Sequence, residues 1–300
     1  MAKYFELTAE TKVNKSGVTL HRIRCTRDTC WAKAGDLGGW VESESNLCDV
    51  AWVDDEAQVF GNARVYGDAV VFGGALIYDE AQVFGNARVY GDAWVYGDVQ
   101  VCDEAQVFGN ARVFGDARVY GYALVFGGTW VYGSACVYGS ACVCGSARVY
   151  GCARVYGFTR VYGDALVYDD ACVYGDACVY GCARVYGCAR VYGCARVYGD
   201  AWVYGDAQAH GRARIRGQAV LGGHAAVEND AQHCGFDCFG SVNRHTHAYL
   251  TESGDVEVTC GCFSGSLDEF AQQVHKTHAG TVYERQYLAI VEVIKIKFGL

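Results

Sequence analysis

The residues best equipped for chemistry lie near the C-terminal end of the chain. Cys234, Cys238, His245, His247, Cys260 and Cys262 fall close together in the sequence. Thiolates and imidazoles are the ligands zinc prefers. The spacing departs from the usual zinc knuckle, however. Three residues separate Cys234 from Cys238 and one separates Cys260 from Cys262, where a knuckle has two. Zinc held by Cys234, Cys238, Cys260 and Cys262 is one expectation, and free thiols in a small domain the other. His275 and His278 fall near the end of an expected helix, where a cation is favoured.

The elements that position these residues follow from a repeat. From Ser45 to Phe236 the chain reads as 32 consecutive hexads of the form A-x-V-Y-G-D, as in Ala87-Arg88-Val89-Tyr90-Gly91-Asp92. From Ala51 onward the small residue is alanine except at Val99, Thr129 and Thr159, and an aliphatic residue follows two positions later except at Ala209 and His233. Period two within A-x-V-Y predicts a short strand with Ala and Val on one side and x and Tyr on the other. Since x is often Arg or Gln, only the Ala/Val side can be buried. Gly supplies the turn, and the Asp after it is expected to bond the local backbone. So short a strand cannot bury a face alone, and the strands must wind into stacked coils.

Composition agrees with that reading. The chain holds 39 glycines and no proline, and proline lacks the N–H that a sheet ladder needs. Between residues 45 and 236 there are no lysines, 13 arginines and 20 acidic residues, a net of 13 − 20 = −7. That balance argues against a duplex-DNA binder, which presents a basic face. A nucleotide or other small ligand on a local Arg/aromatic strip stays open. The first residues, MAKYFELTAE, lack the apolar core of a secretory signal, and no apolar run is long enough for a membrane. The 17 cysteines are an odd number in a long chain, which favours a reducing cytoplasm over a disulfide scaffold.

Coil length can be read from charge. DEAQVFGN recurs at residues 55, 79 and 103, a step of 24 that suggests four hexads per coil. Yet a 24-residue step would stack arginine on arginine at 64/88, 88/112, 160/184 and 190/214, whereas an 18-residue step does so only at 196/214. Like charges directly opposed are destabilising. The 18-residue step also yields the column Trp94, Arg112, Trp130, Arg148, Leu166, Arg184, Trp202, a favourable alternation of guanidinium with apolar neighbours. Three hexads per coil are therefore expected, about eleven coils in all. The outward Tyr, Arg and Trp columns, with Trp94, Arg112, Trp130, Arg148, Arg184 and Trp202 as the orderly strip, are the expected binding surface.

An aliphatic residue every sixth position, with a small residue two before it, resembles the hexapeptide-repeat superfamily over about two-thirds of the chain. That resemblance implies a left-handed parallel β-helix of 18-residue coils. The segment AGDLGGWVESESNL at 34–47 and the stretch CGCFSGSLDEF at 260–270 resemble bacterial and prophage hexapeptide proteins labelled as transferases or polymer-forming cytoskeletal proteins. Acyltransferases of the superfamily need a catalytic histidine and a loop extruded from a coil, and its zinc carbonic anhydrases need three converging imidazoles. Here the hexads run without an inserted loop, and the spacing of His210 and His224 matches neither one coil nor one face.

Open coils must be capped at both ends. Residues 1–44 are expected to form a β cap, with Trp40 plugging the first coil, residues 45–236 the solenoid, and residues 237–300 an α+β domain. In that domain Ala248–Leu250 and Val256–Cys260 read as a hairpin. Ser266 and Glu269 form a capping box that opens a helix through His278, and a second helix runs from Tyr283 to Phe298. The expected function is a non-enzymatic structural or interaction protein that associates with itself or another protein. A transferase-like enzyme and a ligand-sequestering protein are the alternatives.

Overall fold

The computed structural model describes residues 4–300. The chain forms two compact units, one ending at Gly163 and one spanning Asp164–Leu300. Each carries a parallel β-solenoid with 18-residue coils, as the arginine spacing predicts. In the first unit Trp94–Val95 pairs in parallel with Leu76–Ile77 and Arg112–Val113, and Gln100–Val101 with Gln82–Val83 and Arg118–Val119. In the second, Arg184–Val185 pairs with Leu166–Val167 and Trp202–Val203. The 24-residue duplication thus has no counterpart in the register of the described strands.

The hexad explains this register atom by atom. Ala87, Val89, Ala105 and Val107 are 0% exposed and fill the interior. The N–H groups of Arg88, Tyr90 and Asp92 donate to the carbonyls of Ala105, Val107 and Gly109 on the next coil at 2.9, 3.0 and 2.8 Å. A proline at any of those three positions would delete a rung. Thr129 and Thr159 occupy alanine positions without leaving an orphaned hydroxyl. Each donates at 2.6 Å to a carbonyl three residues back, that of Phe126 or Tyr156.

The turn glycines are required by geometry. Gly91 has φ +69°, and a Cβ there would lie 3.0 Å from the amide nitrogen of Gly109 on the next coil. Asp replaces this glycine at 49, 55, 79, 103 and 169, each with positive φ. Its carboxylate then accepts from the glycine N–H one coil further on, as Asp103 does from Gly121 at 3.0 Å and Asp79 from Gly97 at 3.2 Å. The hexad pattern predicts a bond to local backbone from the aspartate after glycine. Within the coils the aspartates that bond backbone are instead those in glycine's place, with the partner on the next coil; Asp230, at the end of the array, accepts from the Arg214 amide.

The first unit opens with an antiparallel meander. Strand Phe5–Val13 pairs with Thr19–Cys25, which pairs with Leu37–Val41, and that strand lies parallel to Gln58–Val59. Asn14 holds the first turn by accepting from the amides of Ser16 and Val18, both at 2.9 Å. Trp40 does not plug the coil as expected. It stands opposite Gln58, an outward position, packed on Leu20 and Phe60, with Lys12 Nζ 4.2 Å from its ring centroid. The glycines beside it make the close approach instead: a Cβ on Gly39 would fall 2.8 Å from Val53 Cγ1, and one on Gly38 2.5 Å from the Val53 carbonyl. Tyr4 is buried there too, its hydroxyl donating to the Ala51 carbonyl.

In the second unit the last coil strand is Ala226–Val227, so coiling stops before Phe236, where the hexad count ends. The pattern fails at His233, which takes an aliphatic position, and at Asn229, which caps a short 3-10 turn, Asp230–Gln232, by accepting from the Ala231 amide. Strands His233–Phe239, Arg244–Leu250, Val256–Cys260 and Phe263–Ser266 then form an antiparallel sheet. The central hairpin was legible in the sequence; the two outer strands were not. Helices α1 (Leu267–His278) and α2 (Val282–Phe298) follow within a residue of expectation. Among the described residues no helix is long and apolar enough to cross a membrane.

Replacing Gly91 by alanine should cost about 1–2 kcal/mol, the penalty of a left-handed conformation for an L-residue. Gly91→Asp should cost less, because its carboxylate can reach the next coil's amide. Denaturant unfolding of both variants checks this, and equal losses would count against the role given to the aspartates.

Candidate functional site

Three sets of residues compete for a functional role, and each owes its position to strand period two. The first is the outward x column. Within the first unit Trp94, Arg112, Trp130 and Arg148 are stacked neighbours. The Arg112 guanidinium carbon lies 4.7 Å from the Trp94 ring centroid and 5.4 Å from that of Trp130, while Arg148 lies 5.0 Å from Trp130. Within the second unit Arg184 lies 4.9 Å from Trp202. The geometry brings these six predicted residues together as cation–π contacts in their separate units.

The neighbouring aromatic columns are stacked almost face to face. Phe72, Tyr90, Phe108 and Phe126 follow one another at centroid distances of 4.7 Å with planes within 4° of parallel. Tyr168, Tyr186 and Tyr204 stack in the second unit at 4.9 and 5.3 Å, with planes within 12° of parallel. Ring faces are thereby covered by coil neighbours, and only edges and hydroxyls meet solvent. Burial pushes the Tyr78 phenol up to about 12. Cys102 and Cys144 take ring positions in these columns, and burial raises each thiol to about 11, so neither is a ready nucleophile.

Two aromatics escape the columns and were missed in the sequence. Tyr122 and Phe158 are 68% and 69% exposed. They replace the aspartate after glycine, on one turn two coils apart, about 10 Å by strand spacing. The departure from G-D at Gly121-Tyr122 and Gly157-Phe158 is the signal that could have found them.

The second set is the C-terminal cysteines. Cys260 is buried on the sheet face that packs against the helices, with Val258, Phe270 and Ile290, and it accepts from the Thr246 hydroxyl at 3.3 Å. Cys234 is partly buried on that same face, whereas Cys238 and Cys262 are exposed, Cys238 at a bulge with φ +63°. The fold distributes the four across different settings. Among the described residues no three His, Cys, Asp or Glu side chains stand ready around one point.

The third set lies on the opposite face of that sheet, against the last coil. Period two places His233, Gly235 and Asp237 of one strand beside His245, His247 and Tyr249 of its neighbour. His247 is 1% exposed. Its Nδ1 lies 2.9 Å from the Val220 carbonyl and its Nε2 3.0 Å from His233 Nδ1. Asp237 bonds His245 Nδ1 at 2.5 Å. Burial drives His247 down to about 3 and lowers His233 as well. These imidazoles border a cleft of about 530 Å³ that also touches Arg214, Arg216 and Asp230. His210, in contrast, ends a tyrosine column, 5.0 Å from the Tyr192 ring. His224 is exposed, its carbonyl accepting from the Glu252 amide at 3.1 Å.

Ser266 and Glu269 form the expected capping box. The Ser266 amide donates to Glu269 Oε2 at 2.9 Å and the Glu269 amide to Ser266 Oγ at 3.3 Å. These bonds hold the exposed Glu269 carboxyl below its usual range. The box starts the helix that covers Cys260.

A family model described as the YdcK beta solenoid repeat matches residues 57–79, 81–103, 105–121 and 195–211. The chain is a β-solenoid repeat protein. The first three matched segments begin at positions 57, 81 and 105, in step with the duplicated segment. No curated protein matches the chain at a significant level.

Removing the Arg112 guanidinium (Arg112→Ala) should destabilise the protein by about 1 kcal/mol, since it deletes two cation–π contacts worth about 0.5–1 each. Arg118→Ala is the comparison, because its stacked neighbours are Gln100 and Cys136. Urea midpoints decide: an equal or larger loss for Arg118 would refute the ladder's contribution.

Proposed function

We propose that this chain is a non-enzymatic interaction protein, and that it associates with itself through its outer surface. The observation that carries this reading is the pair Tyr122 and Phe158. Nearly all ring faces in the first unit are occupied by coil-to-coil stacking, yet these two stand out at 68% and 69% exposure on one turn. Exposed aromatics about 10 Å apart on a rigid frame resemble the anchor residues of protein interfaces. The two strand columns that meet at this turn contribute Arg118, Arg154 and Arg160, a rim suited to polar contacts.

Membership of the hexapeptide-repeat superfamily, with the prophage provenance its end segments suggest, is part of the proposal. The hexad pattern and the 18-residue coil support it. A transferase-like enzyme has less in its favour. The array runs through its hexads with no inserted loop to build a donor slot, and His210 is stacked on Tyr192. A cytoplasmic location follows from the same reading of the free cysteines.

Light scattering across a concentration series tests the proposal. The wild type should self-associate, and Tyr122→Ser with Phe158→Ser should shift the species toward monomer at unchanged thermal stability. A wild type that stays monomeric, or a double variant that associates equally well, would overturn it.

A further inference from the structure

The histidine face of the C-terminal sheet contains two imidazole nitrogens whose lone pairs point to a ligand. A carbonyl oxygen only accepts, so His247 Nδ1, 2.9 Å from the Val220 carbonyl, carries the proton there. His247 Nε2 then carries a lone pair, and His233 Nδ1, 3.0 Å away, must donate to it. That fixes the tautomer of His233 and leaves its Nε2 as a lone pair. On the other side, Asp237 takes the Nδ1 proton of His245 at 2.5 Å and leaves a second lone pair on His245 Nε2. Both Nε2 atoms are buried with no hydrogen-bond partner, and such buried acceptors are rare without an ion or water to satisfy them.

We propose that His233 and His245 bind, through Nε2, a divalent transition-metal ion of the zinc class, with the Asp230 carboxylate completing the site. Imidazole with carboxylate suits zinc, cobalt and nickel. Asp230 Oδ1 lies 3.9 Å from His233 Nε2, too far for a hydrogen bond. Two ligands each about 2.0–2.2 Å from one ion stand roughly 3–4 Å apart. Oδ1 already accepts from the Arg214 amide at 2.9 Å, which leaves Oδ2 for the ion.

His247 and Asp237 are positioning residues. An imidazole ligand commonly donates its other N–H to a carboxylate, a carbonyl or a further polar group, which fixes its ring and raises its basicity. Gly235 supplies the space, since a Cβ there would come within 2.9 Å of His245 Nε2. Arg214 and Arg216 bring positive charge to the cleft, and Asp230 and Asp237 bring the compensating negative charge. No three ligating side chains among the described residues are gathered around one point before binding, so the ion must draw Asp230 and the imidazoles together. This distinguishes the site from the cysteine set that the sequence suggested.

The test uses the full chain, stripped with a chelator and titrated with Zn²⁺ by calorimetry and with Co²⁺ by visible absorption. One ion per chain should bind, with a rise in melting temperature and a Co²⁺ spectrum free of thiolate charge-transfer bands. His233→Ala and His245→Ala should abolish binding. Asp237→Asn, on an exposed side chain, should weaken it about 10–100-fold, and Cys238→Ser with Cys262→Ser should leave it unchanged. Absence of saturable binding to the wild type, a thiolate band, or undiminished binding by both histidine variants would overturn the proposal. So would an acid-driven melting change, identical with and without metal, that tracked a proton shared between His233 and Asp230.

Discussion

Everything in the solenoid depends on one constraint: the backbone bonds that join each hexad to its counterpart on the next coil. The N–H groups of the x, Tyr and Asp positions reach the carbonyls of Ala, Val and Gly there. Because these bonds recur at every coil, interior and exterior residues are locked into columns. The buried Ala and Val positions follow from this register, as do the stacked rings and the alternation of arginine with tryptophan. A residue is therefore constrained as much by its neighbours one coil away as by those adjacent in the chain.

The same constraint explains the exceptions. Where aspartate takes the turn position of glycine, it accepts the strained conformation and recovers a bond to the next coil's amide. Where threonine takes the alanine position, its hydroxyl is satisfied locally. In the second unit, coiling ends where the pattern fails, and a two-faced sheet replaces it. One face is apolar and carries the helices; the other is rich in histidine and accepts the polar end of the last coil. Alternation along His233–Phe239 and Arg244–Leu250 creates both faces from the same two strands.

Much of the fold was legible because one physical pattern was written out so many times. Coil length came from arginine spacing, since like charges at 64/88 and 88/112 made a 24-residue register unfavourable. The helices were legible from the Ser266–Glu269 box and from apolar periodicity. The ends were harder. Trp40 is conspicuous in sequence, but its strand register turns it outward, and the glycines beside it make the close contact. The histidine face was obscured because His233 looked like the last hexad and His245 and His247 were grouped with cysteines. Strand pairing puts Cys234 and Cys260 on one face and the imidazoles on the other, a division that spacing alone does not reveal. Tyr122 and Phe158 were hidden among many other aromatics, and only their exposure separates them.

The register itself is most directly tested by comparing two double-mutant cycles on the outer columns. Tyr90 and Phe108 occupy equivalent places on successive coils and stack at 4.7 Å, while Phe84 and Phe108 are equivalent places in successive copies of the duplicated segment. Stability measurements on the alanine variants should give a coupling of about 0.5–1.5 kcal/mol for Tyr90 with Phe108. Phe84 with Phe108 should be additive to within about 0.5 kcal/mol. Coupling of Phe84 to Phe108, with additivity of Tyr90 and Phe108, would contradict the three-hexad coil and the account built on it.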